Sequence, residues 1–297
     1  MEPIIFLGKE IYINPIALEF GPLKIYWYGI IIVFGMALAF YLLSRRMNEK
    51  KKKILSKNNL KNEKFVTENQ SGVITFDTVI DYLIGAIIIG FASARLYYVL
   101  FNLDYYLKDP LKIFMIWNGG VAIYGGVIGA ILYGIHFCKK RKIDFYELAD
   151  LLTPYLLLVQ SIGRWGNFVN REAYGYETNL PWKMGVYKPA IHDYIYVHPT
   201  FLYESILTFL SFLFLVNLSK KKKFKGQIFY LYMILYGITR FFIEGLRTDS
   251  LMFANFRISQ ILSLVFVVIF GIIYYEKIKG RRNVWLPSWH LLQFTVK

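Results

Sequence analysis

The chain has 297 residues, of which 56% are hydrophobic and 19% aromatic, and it carries a formal net charge of +15. Soluble domains are usually about 45–50% apolar, so this excess, arranged in long apolar runs, favours a polytopic membrane protein over a soluble one. The single cysteine, Cys138, excludes an intrachain disulfide framework and a cysteine-based metal site within one chain.

Seven apolar segments are each long enough to form a helix that crosses the hydrocarbon core, which takes about 20 residues. In chain order they are 24–44, 77–100, 120–138, 147–164, 201–218, 226–246 and 257–276. In the third segment Gly125 and Gly129 have the small-xxx-small spacing that lets membrane helices pack closely, whereas Asp150 and Pro154 interrupt the fourth. We therefore predict an all-α bundle of seven transmembrane helices, with residues 1–297 forming a single integral membrane domain.

Basic residues concentrate in alternate connections between these segments. They are dense in 45–76, in 139–142, in 218–226 and after residue 276, and sparse in the other connections. Because basic connections stay in the cytoplasm, we predict an extracytoplasmic N-terminus and a cytoplasmic C-terminus. In this topology 45–76 is a lysine-rich cytoplasmic loop insertion and 165–200 is an extracytoplasmic loop region. Since the positive charge is divided among four separate segments, we expect no nucleic-acid partner.

Four arginines lie within or at the ends of the predicted spans, where charged side chains are costly and usually functional. They are Arg95, Arg164, Arg240 and Arg257. A rise of about 1.5 Å per residue places the first three at one level of the outer leaflet. Guanidinium groups that converge there favour an anionic ligand, and the phosphates at that depth belong to phospholipid head groups. Two alternatives stay open: Arg95 and Arg257 can snorkel to the interface, and Arg240 can pair with Glu244 for purely structural reasons.

The segment SIGRWGNFVNREAYG, at 161–175, gathers polar residues where the fourth predicted span ends. Gly163 and Gly166 flank its arginine, and we expect them to allow a tight backbone as the helix leaves the bilayer. Amide side chains there supply donors and acceptors, and a carboxylate can orient an arginine or accept a proton. The polar members are Arg164, Asn167, Asn170 and Glu172. Together they predict a polar pocket at the outer boundary between lipid and water.

Part of this segment, GRWGNFVNREAYG, resembles the signature of the prolipoprotein diacylglyceryl transferases, a family of bacterial membrane enzymes. Further matches occur in the same order and spacing along the chain. They are YWYG at 26–29, ARLYYVLF at 94–101, WNGGVAIYGGVIGA at 117–130, ELADLLTP at 147–154, HPTFLYE at 198–204 and YGITRFFIEGLRTD at 236–249. The resemblance therefore covers nearly the whole chain, apart from 45–76 and the C-terminal tail.

The resemblance implies a reaction at the bacterial cytoplasmic membrane, in which the chain would be a multi-pass transferase. The diacylglyceryl group of phosphatidylglycerol is transferred to the thiol of the lipobox cysteine in a prolipoprotein. The products are a thioether-linked lipid and glycerol phosphate. The expected partners are phosphatidylglycerol, prolipoprotein lipobox peptides and the lipid bilayer, and no metal or diffusible cofactor is expected.

The resemblance also implies roles for individual residues. Arg164 and Arg240 would hold the lipid phosphate and stabilise charge on the departing oxygen, and Tyr28 would act beside them. The other candidate substrate-binding residues are Asn167, Asn170, Tyr236, Glu244, Gly175, Tyr124 and Arg95. Tyr28 and Tyr236 are alternatively ordinary interfacial tyrosines, and Asp150, also a matched position, alternatively has a structural role.

One position departs from the family pattern. Many members carry histidine before the double glycine of GGVIG, where this chain has Tyr124. A tyrosine, with an ordinary pKa of about 10, is a poor base at neutral pH. We therefore consider His198 and Glu172 as acceptors of the thiol proton, or transfer of that proton to phosphate oxygens or water. His198 is alternatively a hydrogen-bonded loop histidine.

Two other classes of function use arginines in a membrane. A transporter or lipid scramblase is one, although the odd number of spans and the absence of two matched sequence halves count against it. A non-catalytic lipid-binding factor is the other, and it would tolerate loss of Arg164 with only weaker lipid binding.

Overall fold

The computed structural model describes residues 2–21, 23–57, 74–115, 119–250, 252–253 and 256–285. Eight α-helices account for most of this described chain. They are α1 (Trp27–Lys57), α2 (Phe76–Leu100), α3 (Leu103–Lys108), α4 (Ile123–Arg141), α5 (Phe145–Asn170), α6 (Thr200–Leu218), α7 (Gln227–Leu246) and α8 (Ile258–Trp285). Short 3-10 turns occupy Pro110–Phe114, Pro189–Ile191 and Ser219–Lys221.

Five of these helices are long and apolar enough to cross a membrane. The spans are Trp27–Glu49, Phe76–Leu100, Thr200–Lys221, Gln227–Leu246 and Ile258–Gly280. Large apolar side chains on them face outward, as at Phe91, Phe242 and Ile272, each at least 60% exposed. Outward apolar faces suit lipid contact. The predicted spans at 120–138 and 147–164 do form helices, α4 and α5, but glycines in the first and charged groups in the second lower their hydropathy.

The described chain also contains strands, which is a departure from the predicted all-α class. The strands of the main sheet are β1 (Ile4–Phe6), β2 (Lys9–Ile11), β5 (Met184–Lys188) and β6 (Asp193–Val197). Two smaller sheets have two strands each. In one, β3 (Ile16–Phe20) pairs with β4 (Leu23–Tyr26), and in the other, β7 (Met252–Phe253) pairs with β8 (Phe256–Arg257). The main sheet is antiparallel, with the order β2–β1–β5–β6. Leu7 and Gly8 join β1 to β2 with φ values of 50° and 74°, as a two-residue hairpin turn requires. The segment 165–200, predicted as a loop region, thus begins within α5 and contains β5 and β6.

One compact unit comprises Met1–Leu43 and Ala149–Lys297. Its core joins the sheet to the ends of two helices. Ile4, Met184 and Val197 are at most 1% exposed and pack with Phe168 of α5 and Phe201 of α6. Buried β-branched and aromatic side chains of this kind stabilise a small sheet by about 1.5–3 kcal/mol each. The sheet therefore anchors the end of α5 that carries the polar segment.

The other compact unit comprises Ser44–Leu148. Within it α2 packs along α4, where a methyl group at Gly125 would lie 2.6 Å from the Ser93 carbonyl oxygen. This close backbone approach confirms the packing predicted for Gly125 and Gly129. Residues 45–57 of the predicted loop 45–76 continue α1 as far as Lys57, and residues 58–73 lie outside the described residues.

Candidate active site

The polar segment 161–175 begins on the last turns of α5. The helix continues through Gly163 and Gly166 to Asn170. The prediction that these glycines allow a tight backbone where the helix ends is therefore wrong. Gly166 instead makes room for a neighbour, because a methyl group there would overlap the ring of Tyr28 on α1. The helix ends one residue later, where Arg171 takes a left-handed φ of 54° and its N–H donates to the Phe168 carbonyl at 3.1 Å.

Arg164 is held by partners on two elements. Its Nη2 donates to Glu204 Oε1 of α6 at 2.6 Å, and its Nη1 donates to Asn167 Oδ1 at 3.3 Å. Asn167 in turn donates from Nδ2 to Glu172 Oε1 at 2.8 Å, and Asn170 donates to the same oxygen at 3.3 Å. The four polar residues predicted to cluster at 161–175 therefore form one connected network in the structure.

Arg240, from the middle of α7, meets the same carboxylate. Its Nη1 lies 3.5 Å from Glu204 Oε2, and its Nη2 lies 2.5 Å from Glu244 Oε2, one turn along its own helix. The Arg240 Nη1 atom is buried and makes no hydrogen bond of good geometry to any residue that the structure describes. A buried guanidinium N–H without a good acceptor is costly, so this donor is suited to an anionic oxygen.

Glu204 is the residue that the sequence reasoning missed. It is 1% exposed, and its two carboxylate oxygens face Arg164 and Arg240. The available signal was an acidic residue at the end of HPTFLYE, within the first turns of an otherwise apolar helix, where an unpaired carboxylate is very costly. Such a residue requires cationic partners, and the two arginines supply them.

Two further arginines, Arg257 and Arg247, hold the loops beside the arginine pair formed by Arg164 and Arg240. Arg257 donates to the Glu244 carbonyl oxygen and, at 2.6 Å, to the Tyr176 hydroxyl. Arg247 donates to both carboxylate oxygens of Asp249, at 2.9 and 2.7 Å, and this hydrogen-bonded guanidinium holds the pKa of Asp249 below its usual range.

Gly175 and His198 lie where two loop segments cross. The Gly175 N–H donates to the His198 carbonyl at 3.0 Å, and a methyl group at residue 175 would lie 3.0 Å from the Leu246 carbonyl oxygen. A side chain at position 175 would therefore be crowded by these neighbours. The His198 imidazole lies 3.2 Å, through Nδ1, from the hydroxyl of Tyr203, which also accepts a hydrogen bond from the Trp182 indole.

Two of the predicted site residues, Arg95 and Tyr124, belong to the Ser44–Leu148 unit. The Arg95 side chain donates to four backbone carbonyls, those of Lys112, Ile113, Gly119 and Gly120, at 2.6–2.8 Å. These contacts use most of its donors, so Arg95 fixes the segment before α4. Tyr124 lies in the first turn of α4 and is 44% exposed.

The remaining matched positions lie on the helices that carry the pair. Tyr236 is one turn before Arg240 on α7, and its ring stacks on that of Tyr232 with centroids 5.9 Å apart. Asp150, near the start of α5, accepts backbone N–H groups of Gly226, Ile228 and Phe229 at 2.8–2.9 Å. It therefore caps the start of α7, which supports the structural alternative for this residue.

The donor set of the site suits an anion rather than a cation. Among the residues that the structure describes, no three His, Cys, Asp or Glu side chains are placed to hold a metal ion. The two buried glutamates are each in contact with arginine. Guanidinium groups that share carboxylates in this way can also bind a phosphate, because two adjacent phosphate oxygens accept hydrogen bonds as a carboxylate does.

Comparisons with known proteins point to one family. The family model for prolipoprotein diacylglyceryl transferase matches residues 15–275. The chain is 40% identical over 274 residues to the phosphatidylglycerol–prolipoprotein diacylglyceryl transferase of Listeria welshimeri, covering 90% of this chain and 91% of that protein. It is 40% identical over 269 residues to the protein of the same name from Bacillus cereus, covering 89% and 92%. The range matched by the family model contains Arg164, Glu204 and Arg240.

Proposed function

The chain belongs to the prolipoprotein diacylglyceryl transferase family, and from this membership we propose that it transfers the diacylglyceryl group of phosphatidylglycerol to the lipobox cysteine thiol of a prolipoprotein. This would be the first step of bacterial lipoprotein maturation. One structural observation carries the assignment to a site: Arg164 and Arg240, from separate helices, converge on one buried carboxylate within the matched range.

The chemistry requires stabilisation of a phosphate leaving group. The thiol sulfur forms a bond to the terminal glyceryl carbon, the bond from that carbon to the phosphate oxygen breaks, and its electron pair stays on the phosphate. Preorganised cations that face this oxygen lower the barrier most effectively in a site with little water. Arg164 and Arg240 supply two guanidinium groups, and Arg240 Nη1 supplies a buried donor without a good acceptor.

The neighbouring side chains orient these two cations. Asn167 accepts a hydrogen bond from Arg164, and Glu244 pairs with Arg240. We assign the substrate-facing walls to Tyr28, Tyr236 and Asn170, and we assign Gly175 to the close crossing of loops. Arg95 is assigned to holding its own loop, because backbone carbonyls occupy its donors.

The proton of the attacking thiol requires an acceptor. Of the two side chains suggested by the sequence, Glu172 is connected to Arg164 through Asn167, whereas the His198 imidazole contacts Tyr203. Glu172 is also exposed, at a position that a peptide from the aqueous side can reach. We therefore assign Glu172 as the first acceptor, from which the proton passes to a phosphate oxygen of the departing glycerol phosphate.

The membrane arrangement is part of the same proposal. We propose seven spans, with α4 and α5 added to the five candidate membrane spans. Because the basic connections are expected in the cytoplasm of a bacterial cell, the N-terminus is proposed to lie outside. The arginine pair then faces the outer leaflet of the cytoplasmic membrane, where phosphatidylglycerol and the lipobox of a secreted prolipoprotein are both accessible.

A transfer assay tests the function directly. Purified protein in vesicles that contain radiolabelled phosphatidylglycerol should move the label onto a lipobox peptide, and a peptide with serine in place of the cysteine should stay unlabelled. Arg164→Ala and Arg240→Ala should each abolish labelling. The matched control is Arg141→Ala, which removes an arginine from an exposed ion pair with Asp81 and should leave labelling intact.

The outcomes separate the competing functions. Lipid or peptide flux through the vesicles without thioether formation would indicate a transporter or scramblase. Full labelling by Arg164→Ala would refute the site assignment while leaving the family function in place.

A further inference from the structure

Glu204 connects the two arginines from a third helix. Its Oε1 accepts from Arg164 Nη2 at 2.6 Å, and its Oε2 lies 3.5 Å from Arg240 Nη1. The carboxylate is almost completely buried, whereas the side chains of Arg164 and Arg240 are 21% and 17% exposed. A ligand that enters the site therefore meets partly exposed guanidinium groups that Glu204 already contacts.

The charges of this cluster already balance. Arg164 and Arg240 contribute two positive charges, and Glu204 and Glu244 contribute two negative charges. A phosphodiester adds one more negative charge to a poorly solvated site, where unbalanced charge is costly. Arg164 Nη2 and Arg240 Nη1 both face Glu204, so a phosphate bound by these two nitrogens would compete with the carboxylate for them.

We propose that Glu204 is both the positioning residue of the arginine pair and an internal counter-anion with which the lipid phosphate must compete. The carboxylate fixes the separation of Arg164 and Arg240, so that neither has to reorganise during the reaction. It also limits how tightly an anionic head group binds, because phosphate and carboxylate share the same N–H donors. The expected change in turnover rests on the proposed function. The competition between Glu204 and an anionic ligand does not depend on that function.

The two roles predict opposite effects on binding and turnover when the charge is removed. In Glu204→Gln the cluster gains a net positive charge, so the ground-state phosphate should bind more tightly and the KM for phosphatidylglycerol should fall about tenfold. The amide also directs an NH₂ donor at one guanidinium, so the arginines lose their fixed positions and kcat should fall by about 10–100-fold. If Glu204 were needed only for packing, its replacement would raise KM, lower kcat or leave both unchanged.

The test measures kcat and KM for phosphatidylglycerol in vesicles, together with the affinity for soluble glycerol phosphate by calorimetry. The variants are Glu204→Gln, Glu204→Asp and a matched control, Glu49→Gln, which removes a carboxylate from an exposed ion pair with Arg45. Glu204→Asp keeps the charge but is one methylene shorter, so it should lower kcat with little change in KM. The control should match the wild type in all three quantities.

A fall in both KM and kcat for Glu204→Gln, with tighter glycerol phosphate binding, supports the proposal. Weaker binding of both anions by Glu204→Gln, or wild-type kinetics, overturns it. If Glu204→Gln does not fold, Glu204→Asp decides, because a wild-type kcat in that variant overturns the positioning role.

The two anions separate a lipid head group from a free phosphomonoester as the competing ligand. If the wild-type protein shows no transfer, the proposed function fails, whereas the calorimetric comparison still tests competition by Glu204.

Discussion

Replacement of Arg240 by lysine tests whether the planar guanidinium fork, rather than positive charge alone, is required. In the structure Arg240 contacts two carboxylates with two different nitrogens, at 2.5 Å from Glu244 and 3.5 Å from Glu204, and its Nη1 is buried without a good acceptor. A lysine ammonium is a single point charge and cannot hold both carboxylates while it presents a donor to the phosphate. We expect Arg240→Lys to lose one charge-stabilising donor in the transition state, a loss of about 2.7–4 kcal/mol or about 10²–10³ in kcat.

The assay is single-turnover transfer of radiolabelled diacylglyceryl from phosphatidylglycerol vesicles to a lipobox peptide, because it isolates the chemical step from product release. Thermal unfolding of the same samples compares the stability of the variant with that of wild type. A similar stability is expected if the lysine remains a cationic partner of the buried glutamates. Arg141→Lys, in the exposed pair with Asp81, is the matched control and should behave as wild type. A rate for Arg240→Lys within about twofold of wild type would show that guanidinium geometry is not used, and the site proposal would then be wrong.

Four further results are expected. Glu172→Gln should lower the rate near neutral pH but recover activity as pH rises through the ordinary thiol pKa of about 8.5, because the peptide thiolate then needs no proton acceptor; a pH–rate profile parallel to wild type would contradict this. Asp150→Asn should lower the unfolding free energy by about 1–3 kcal/mol, measured by denaturation in detergent, because three backbone N–H groups at the start of α7 lose a charged acceptor. Tyr124→Phe should keep measurable transfer, and complete loss would mean that its hydroxyl takes part in the chemistry. Because Arg247 lowers the pKa of Asp249, the stability difference between wild type and Asp249→Asn should be present above about pH 4 and should disappear as pH falls through the lowered pKa, which thermal unfolding at several pH values can follow.

The neutral charge of the site has a physical consequence for how such an enzyme tolerates arginines in a membrane. Arg164 and Arg240 are each paired with a buried glutamate, so neither is an isolated charge in a medium of low polarity. The same pairing fixes their positions before substrate binds, which is the condition for effective electrostatic catalysis. Stability and preorganisation therefore depend on the same contacts, and variants of the glutamates are expected to affect both.

Much of the fold and part of the site follow from the sequence alone. Long apolar runs determine that the chain is helical and membrane-embedded, because only helices of that length satisfy their backbone groups in lipid. Local spacing also identified the network of Arg164, Asn167, Asn170 and Glu172, since these residues lie within two turns of one helix and the loop that follows.

Contacts between distant segments were decided only by the tertiary structure. The rotation of α5, α6 and α7 about their axes determines that Arg164 and Arg240 both face Glu204, and no local pattern encodes that rotation. The sheet that joins the N-terminal strands to β5 and β6 likewise depends on pairing across more than 170 residues, as between Ile5 and Gly185. Sequence periodicity shows which face of an element is apolar, but packing of the whole unit determines which element that face contacts. For this reason the role of the Glu204 carboxylate between the two arginines emerged only from the structure.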